Sequence, residues 1–158
     1  MEIRSVKKNK GITIFFALIV ISSLLLMTFF IVELARKEVI FSIFSRESQV
    51  AFYAAESGIE CAWYWDNSGD DSESSPFWNG STNGVYCGDG FNLIGQQGSY
   101  EFNFLVDGDE GSYVEVSVDI EDNNGSRGKT TIISTGYNTA DEDAPRRFER
   151  RIELTYDD

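Results

Sequence analysis

Residues 12–32 read ITIFFALIVISSLLLMTFFIV, a run without a charge, a glycine or a proline. As an α-helix rising about 1.5 Å per residue it covers ~30 Å, the hydrocarbon thickness of one bilayer. A helix inside a soluble core has no need of so long an apolar run. Ahead of it stand Arg4, Lys7, Lys8 and Lys10 against Glu2 alone. The positive-inside rule therefore keeps residues 1–11 in the cytoplasm as a basic leader and exports the chain beyond residue 32. A cleaved secretory signal is the competing reading. It calls for a shorter apolar region and a small-residue cleavage site, and residues 32–36 (VELAR) offer no such site.

Working outward, residues 33–65 contain no proline and one glycine, Gly58, with apolar and charged residues mixed at helical spacing. Leu34, Phe41, Phe44, Val50 and Ile59 are among the apolar positions. The helix is expected to continue to Trp65, so that residues 12–65 make a rod of ~80 Å. Its first half must rest in lipid or against similar helices, and its second half packs on a head formed by residues 66–158. Residues 66–98 turn abruptly to Gly, Ser, Asn and Asp and read as a long irregular loop. Cys61 and Cys87 lie in the exported part, where oxidation is permitted; a disulfide between them would tie this loop to the helix end, and free thiols are the alternative.

Residues 99–158 read as strands. Tyr100, Phe102, Phe104 and Val106 fall on one face, with Glu101 and Asn103 on the other. Val114, Val116, Val118 and Ile120 alternate with Glu115, Ser117 and Asp119, and this apolar face is expected to meet the helix. Asn124-Gly125 signals a type I′ hairpin into a third strand over residues 129–135. In residues 147–156, Phe148, Ile152, Leu154 and Tyr156 share a face with Arg150, which is expected to snorkel or to pair with a carboxylate. The fold class is thus α+β: one long N-terminal helix against a roughly four-stranded antiparallel meander.

This order of elements resembles type IV pilins and pseudopilins over nearly the whole chain. The sharpest local likenesses are Lys7-Lys8-Asn9-Lys10-Gly11 before Ile12-Thr13-Ile14, and Ala51-Phe52-Tyr53-Ala54-Ala55-Glu56-Ser57-Gly58-Ile59-Glu60, which is similar to the helix of PilX-type minor pilins. The resemblance implies that a prepilin peptidase cuts between Gly11 and Ile12 and methylates the new amino group. It also implies that the N-terminal helix then joins other pilin subunits in an extracellular filament serving adhesion, motility or DNA uptake. Removing the leader has a physical purpose: each cation drawn to the bilayer centre would cost about 2.5–3.5 kcal/mol. Major pilins carry Glu at the fifth position after the cleavage site, where this chain has Phe16, and a helix-breaking Gly and Pro, where it has Leu25 and Glu33. That departure favours a priming, tip or modulating subunit over a repeating one. A type II secretion pseudopilin, and an unprocessed single-pass membrane-anchored binding module, are the alternatives.

Composition narrows the other classes. The net charge of -13, with four of the cations gathered in the leader, argues against a nucleic-acid partner. The chain has no histidine, hence no Ser/His/Asp or Cys/His arrangement, and the acidic pairs Asp70–Asp71 and Asp109–Glu110 read as solvated turn charges. No enzyme activity, cofactor or small-molecule substrate is expected. Asp107, Asp109 and Glu110 are weak calcium candidates, as are Asp119, Glu121 and Asn123, but the EF-hand spacing is not met and the hairpin at Asn124-Gly125 accounts for the second group. Asn79-Gly80-Ser81 and Asn124-Gly125-Ser126 match the glycosylation sequon.

Overall fold

A computed structural model of the chain describes residues 10–68, 75–106, 108 and 111–157. Helix α1 runs over Lys10–Asp66, α2 over Pro76–Asn79, and five strands come after them: β1 Asp89–Gln96, β2 Ser99–Leu105, β3 Tyr113–Asn123, β4 Ser126–Tyr137 and β5 Glu149–Asp157. The chain divides into two compact units, Met1–Ile43 and Phe44–Asp158. In the first, none of the described side chains from 12 to 43 is buried. The hydroxyls of Ser22, Ser23 and Thr28 each donate to a carbonyl of the preceding turn, those of Ile19, Val20 and Leu24, at 2.9 Å. A polar side chain in an apolar medium must satisfy itself in this way. This stretch belongs to the one helix, among the described residues, that is long and apolar enough to cross a membrane.

In the second unit the strands form one sheet in the order β1-β2-β3-β4-β5, all neighbours antiparallel. The fold is α+β as expected, with a meander of five strands rather than about four. Val114, Val116, Val118 and Ile120 point inward and are buried with Tyr100, Phe102 and Phe104. Asn124 and Gly125 both take positive φ, 56° and 86°, the backbone that a type I′ turn requires.

Four details differ from the sequence reading. The loop over residues 66–98 contains α2 and β1; alternation in β1 is weak because Ile94 is exposed and Gly90 and Gly95 interrupt it. Val106 leaves the apolar face because β2 ends at Leu105. Helix α1 reaches Asp66 and packs on the sheet through Ala51, Ala54, Ala55, Gly58 and Ala62, whereas Leu34 and Phe41 are exposed. Of the two expectations for Arg150 the carboxylate pair is not formed: the side chain is exposed and donates to Ser48 Oγ through Nε at 2.9 Å and Nη2 at 2.6 Å.

The stripe of small residues has a steric cause. A Cβ on Gly136 of β4 would fall on the Ala51 carbonyl oxygen and the Ala55 nitrogen, and one on Gly58 would strike Ser134 Oγ and the Val114 and Val116 side chains. Helix backbone and strand backbone therefore approach directly. Larger residues close the ends of this contact: Phe44 stacks edge-on with Phe148 at 5.5 Å, and Phe77 of α2 lies against Phe102 and Tyr100. Ser75 caps α2 by accepting from the Phe77 N–H at 3.2 Å.

Candidate functional site

The sequence points to the 11–12 junction, the PilX-like segment, the cysteine pair and the acidic turns. Gly11 and Ile12 lie in the first turns of α1. Of the leader charges, Lys7 and Lys8 are outside the described residues and Lys10 is the first residue of the helix. Asp107, Asp109 and Glu110 also fall outside the described residues. Two of the other acidic groups are engaged: Asp119 accepts from Ser99 Oγ at 2.6 Å and Asp122 from the Gly125 N–H at 2.7 Å. Among the described residues no three His, Cys, Asp or Glu side chains are grouped to hold a metal ion.

The PilX-like segment splits by face. Ala51, Ala54, Ala55 and Gly58 are buried against the sheet, while Phe52, Tyr53 and Glu56 turn outward. Trp63, Tyr64 and Glu60 continue the outward side, since eleven residues, about three helical turns, separate Phe52 from Trp63 and Tyr53 from Tyr64. An aromatic doublet therefore stands at each end of this face with two carboxylates between them.

Beyond this segment, Cys61 is joined to Cys87 by a disulfide, with Cα atoms 6.2 Å apart. Trp65 Nε1 donates to the Tyr86 carbonyl at 3.1 Å, holding the same loop to the same helix end. The closed loop spans a separation of 26 residues, which in the chain-entropy picture corresponds to about 3.5 kcal/mol. Reduction by dithiothreitol is expected to lower the denaturant midpoint of the full-length chain by an amount equivalent to that figure. An unchanged midpoint would mean that α2 and the core hold the loop without the cross-link.

At the same helix end lies a cluster that the sequence reading did not find. Asp66 and Arg127 form an ion pair with side-chain exposures of 0% and 2%. Ser75 Oγ and the Tyr156 hydroxyl also donate to the Asp66 carboxylate, and Arg127 donates to Thr130 Oγ1 from Nη2 at 2.9 Å. Arg127 reaches the interior through a β-bulge. Between the pairs Ile120↔Thr130 and Asp122↔Arg127, β4 carries one residue more than β3. Without the extra residue Arg127 and Thr130 would face opposite sides of the sheet. The only hint in the sequence is a pair of polar positions, Arg127 and Thr130, in a strand that continues inward through Ile132.

On the outer face, Tyr113 and Tyr137 stack with centroids 6.1 Å apart, the Arg147 guanidinium lies 3.9 Å above the Tyr137 ring, and the Tyr137 hydroxyl donates to Glu115 at 3.3 Å. Burial, followed by the Glu115 carboxylate, raises both phenols above their ordinary value. Raised folded-state values mean that these groups contribute stability below about pH 10, lost as the pH climbs through the folded values. Tyr137→Phe is expected to flatten the alkaline fall in thermal midpoint; an unchanged slope would sever that link.

Compared with known protein families, with curated proteins and with solved structures, the chain shows no significant match to any of them.

Proposed function

We propose that the chain is a pilin-like structural subunit, a minor pilin or pseudopilin that enters the membrane by its N-terminal helix and leaves it for an extracellular filament. The observation that carries this reading is the make-up of α1. One helix of 57 residues begins with an apolar stretch that no described part of the chain covers and ends on a small-residue stripe shaped to a sheet. The first part needs lipid or other helices of its kind. The second part needs only its own head. After cleavage at Gly11–Ile12 the charged leader is gone and the apolar stretch can exchange lipid for neighbouring helices. Phe16 in place of a carboxylate favours a priming, tip or modulating place in the filament over a repeating one.

Mechanical shearing of intact cells tests the proposal. The full-length chain, less its leader, is expected in the sheared surface fraction, and in the membrane fraction when the prepilin peptidase is removed. A chain that stays in the membrane whether or not the peptidase is present would contradict filament assembly and favour a membrane-anchored binding module.

A further inference from the structure

The face of the sheet turned away from the helix takes its shape from the strand register. Asn92, Asn103, Glu115, Thr135 and Arg151 stand side by side in one line across all five strands, a line of about 19 Å at ~4.8 Å per strand. The adjoining line carries Ile94, Glu101, Ser117 and Ile133. Ser117 and Thr135 are short beside longer neighbours, and the face is hollowed there into an open groove of about 360 Å³ lined by both lines. Exposed sheets commonly pair opposite charges on neighbouring strands. This one does not: Glu101 stands between Ile94 and Ser117, Glu115 between Asn103 and Thr135, and Arg151 beside Thr135. Among the described residues the side chains of Asn92, Glu101, Asn103, Ser117, Thr135 and Arg151 have neither a hydrogen bond nor an ion pair, and Glu115 takes only the bond from the Tyr137 hydroxyl at 3.3 Å. Their backbone is nonetheless fixed, because Phe102, Val116 and Ile132 on the same strands are buried in the core.

The groove thus holds polar groups that are open, firmly mounted and evenly spaced. We infer that it binds a neutral glycan, an extended chain of about three or four sugar rings lying along the line from Asn92 to Arg151. A sugar hydroxyl both donates and accepts, so amide, carboxylate, hydroxyl and guanidinium side chains each find a partner in it. Ile94 and Ile133 meet the C–H faces of the rings, giving a mixture of apolar lining and a few orienting polar groups. Successive strands are spaced much as successive rings are in an extended glycan, so each ring meets its own strand. Other occupants fit less well. Nucleic acid and acidic sugars would set their charge against Glu101 and Glu115, with Arg151 alone to offset them. A protein partner calls for large apolar or aromatic anchors at the centre of the contact, where the groove has Ser117 and Thr135. The inference concerns the head alone and holds equally for a filament subunit and for a membrane-anchored module.

The test titrates the full-length chain, in a detergent without a sugar headgroup, with linear tetrasaccharides of glucose, galactose, mannose and N-acetylglucosamine, and with tetragalacturonate as the acidic counterpart. At least one neutral tetrasaccharide is expected to bind, and to bind at least about tenfold tighter than its disaccharide and than tetragalacturonate, because the contacts are spread along the line. Asn103→Ala, which removes an amide from the middle of the line, and Ser117→Gln, which fills the groove, are each expected to weaken that binding by about tenfold or more. Thr155→Ala, on the same face outside the groove, should leave it within about twofold of the parent. Thermal midpoints confirm that the variants fold; all three positions face outward. Binding of none of the neutral tetrasaccharides, binding that survives both Asn103→Ala and Ser117→Gln, or tighter binding of tetragalacturonate would overturn the inference.

Discussion

Arg127→Met is expected to lower the stability of the head by about 3–5 kcal/mol, the cost of leaving a buried charge without its counter-ion. Asp66 would keep the hydroxyls of Ser75 and Tyr156, two neutral donors for a carboxylate with no exposed side-chain surface. Removing both charges should hurt less: Asp66→Leu with Arg127→Met is expected to recover much of the loss, because the desolvation cost of both ions disappears with them. Trp63, Trp65 and Trp78 lie near this end of the head and provide the signal. Denaturant titration of the full-length chain in detergent, followed by tryptophan fluorescence, measures single and double variants side by side. A single variant within about 0.5 kcal/mol of the parent, the range of ordinary surface changes, would mean that the pair is not held out of water.

Gly136→Ala should be almost as damaging although it adds one methyl group. Its Cβ would meet the backbone of Ala51 and Ala55, and no rotamer change relieves a backbone collision. The helix must lift from the sheet, opening the contacts of the small-residue stripe along its length, so the loss is expected at or beyond the upper end of the roughly 1–3 kcal/mol of ordinary overpacking. Thr135→Ala, the neighbouring residue, faces outward and serves as the control; it should move the midpoint by no more than about 0.5 kcal/mol. Equal effects at 135 and 136 would mean that α1 does not rest on β4 at this point.

The sequence made the plan of the fold readable wherever one local signal sufficed. An uncharged run of bilayer length, period-two alternation in residues 113–120 and an Asn-Gly turn each rest on a single physical rule and need no knowledge of what lies opposite. Features that depend on a partner far away in the chain were not legible. The helix face that meets the sheet is marked by small residues rather than large ones, because Gly136, some eighty positions later, brings the strand so close. Bulky apolar residues at helical spacing do not mark that face, since Leu34 and Phe41 are exposed. Arg127 reads as a solvent-facing charge until the bulge in β4 turns it inward, and Asp66 reads as the first residue of a polar loop until that arginine arrives beside it. Strand β1 was hidden by its glycines and by the exposed Ile94, as befits an edge strand whose pairing is irregular at one end.

The filament reading predicts a particular first residue. N-terminal sequencing and intact mass of the protein purified from cells with and without the prepilin peptidase decide it directly. A mature chain that begins at a methylated Ile12 in the presence of the peptidase, and at Met1 in its absence, is the expected result. A chain that keeps residues 1–11 in both would contradict the account and leave a membrane-tethered head with no route into a filament.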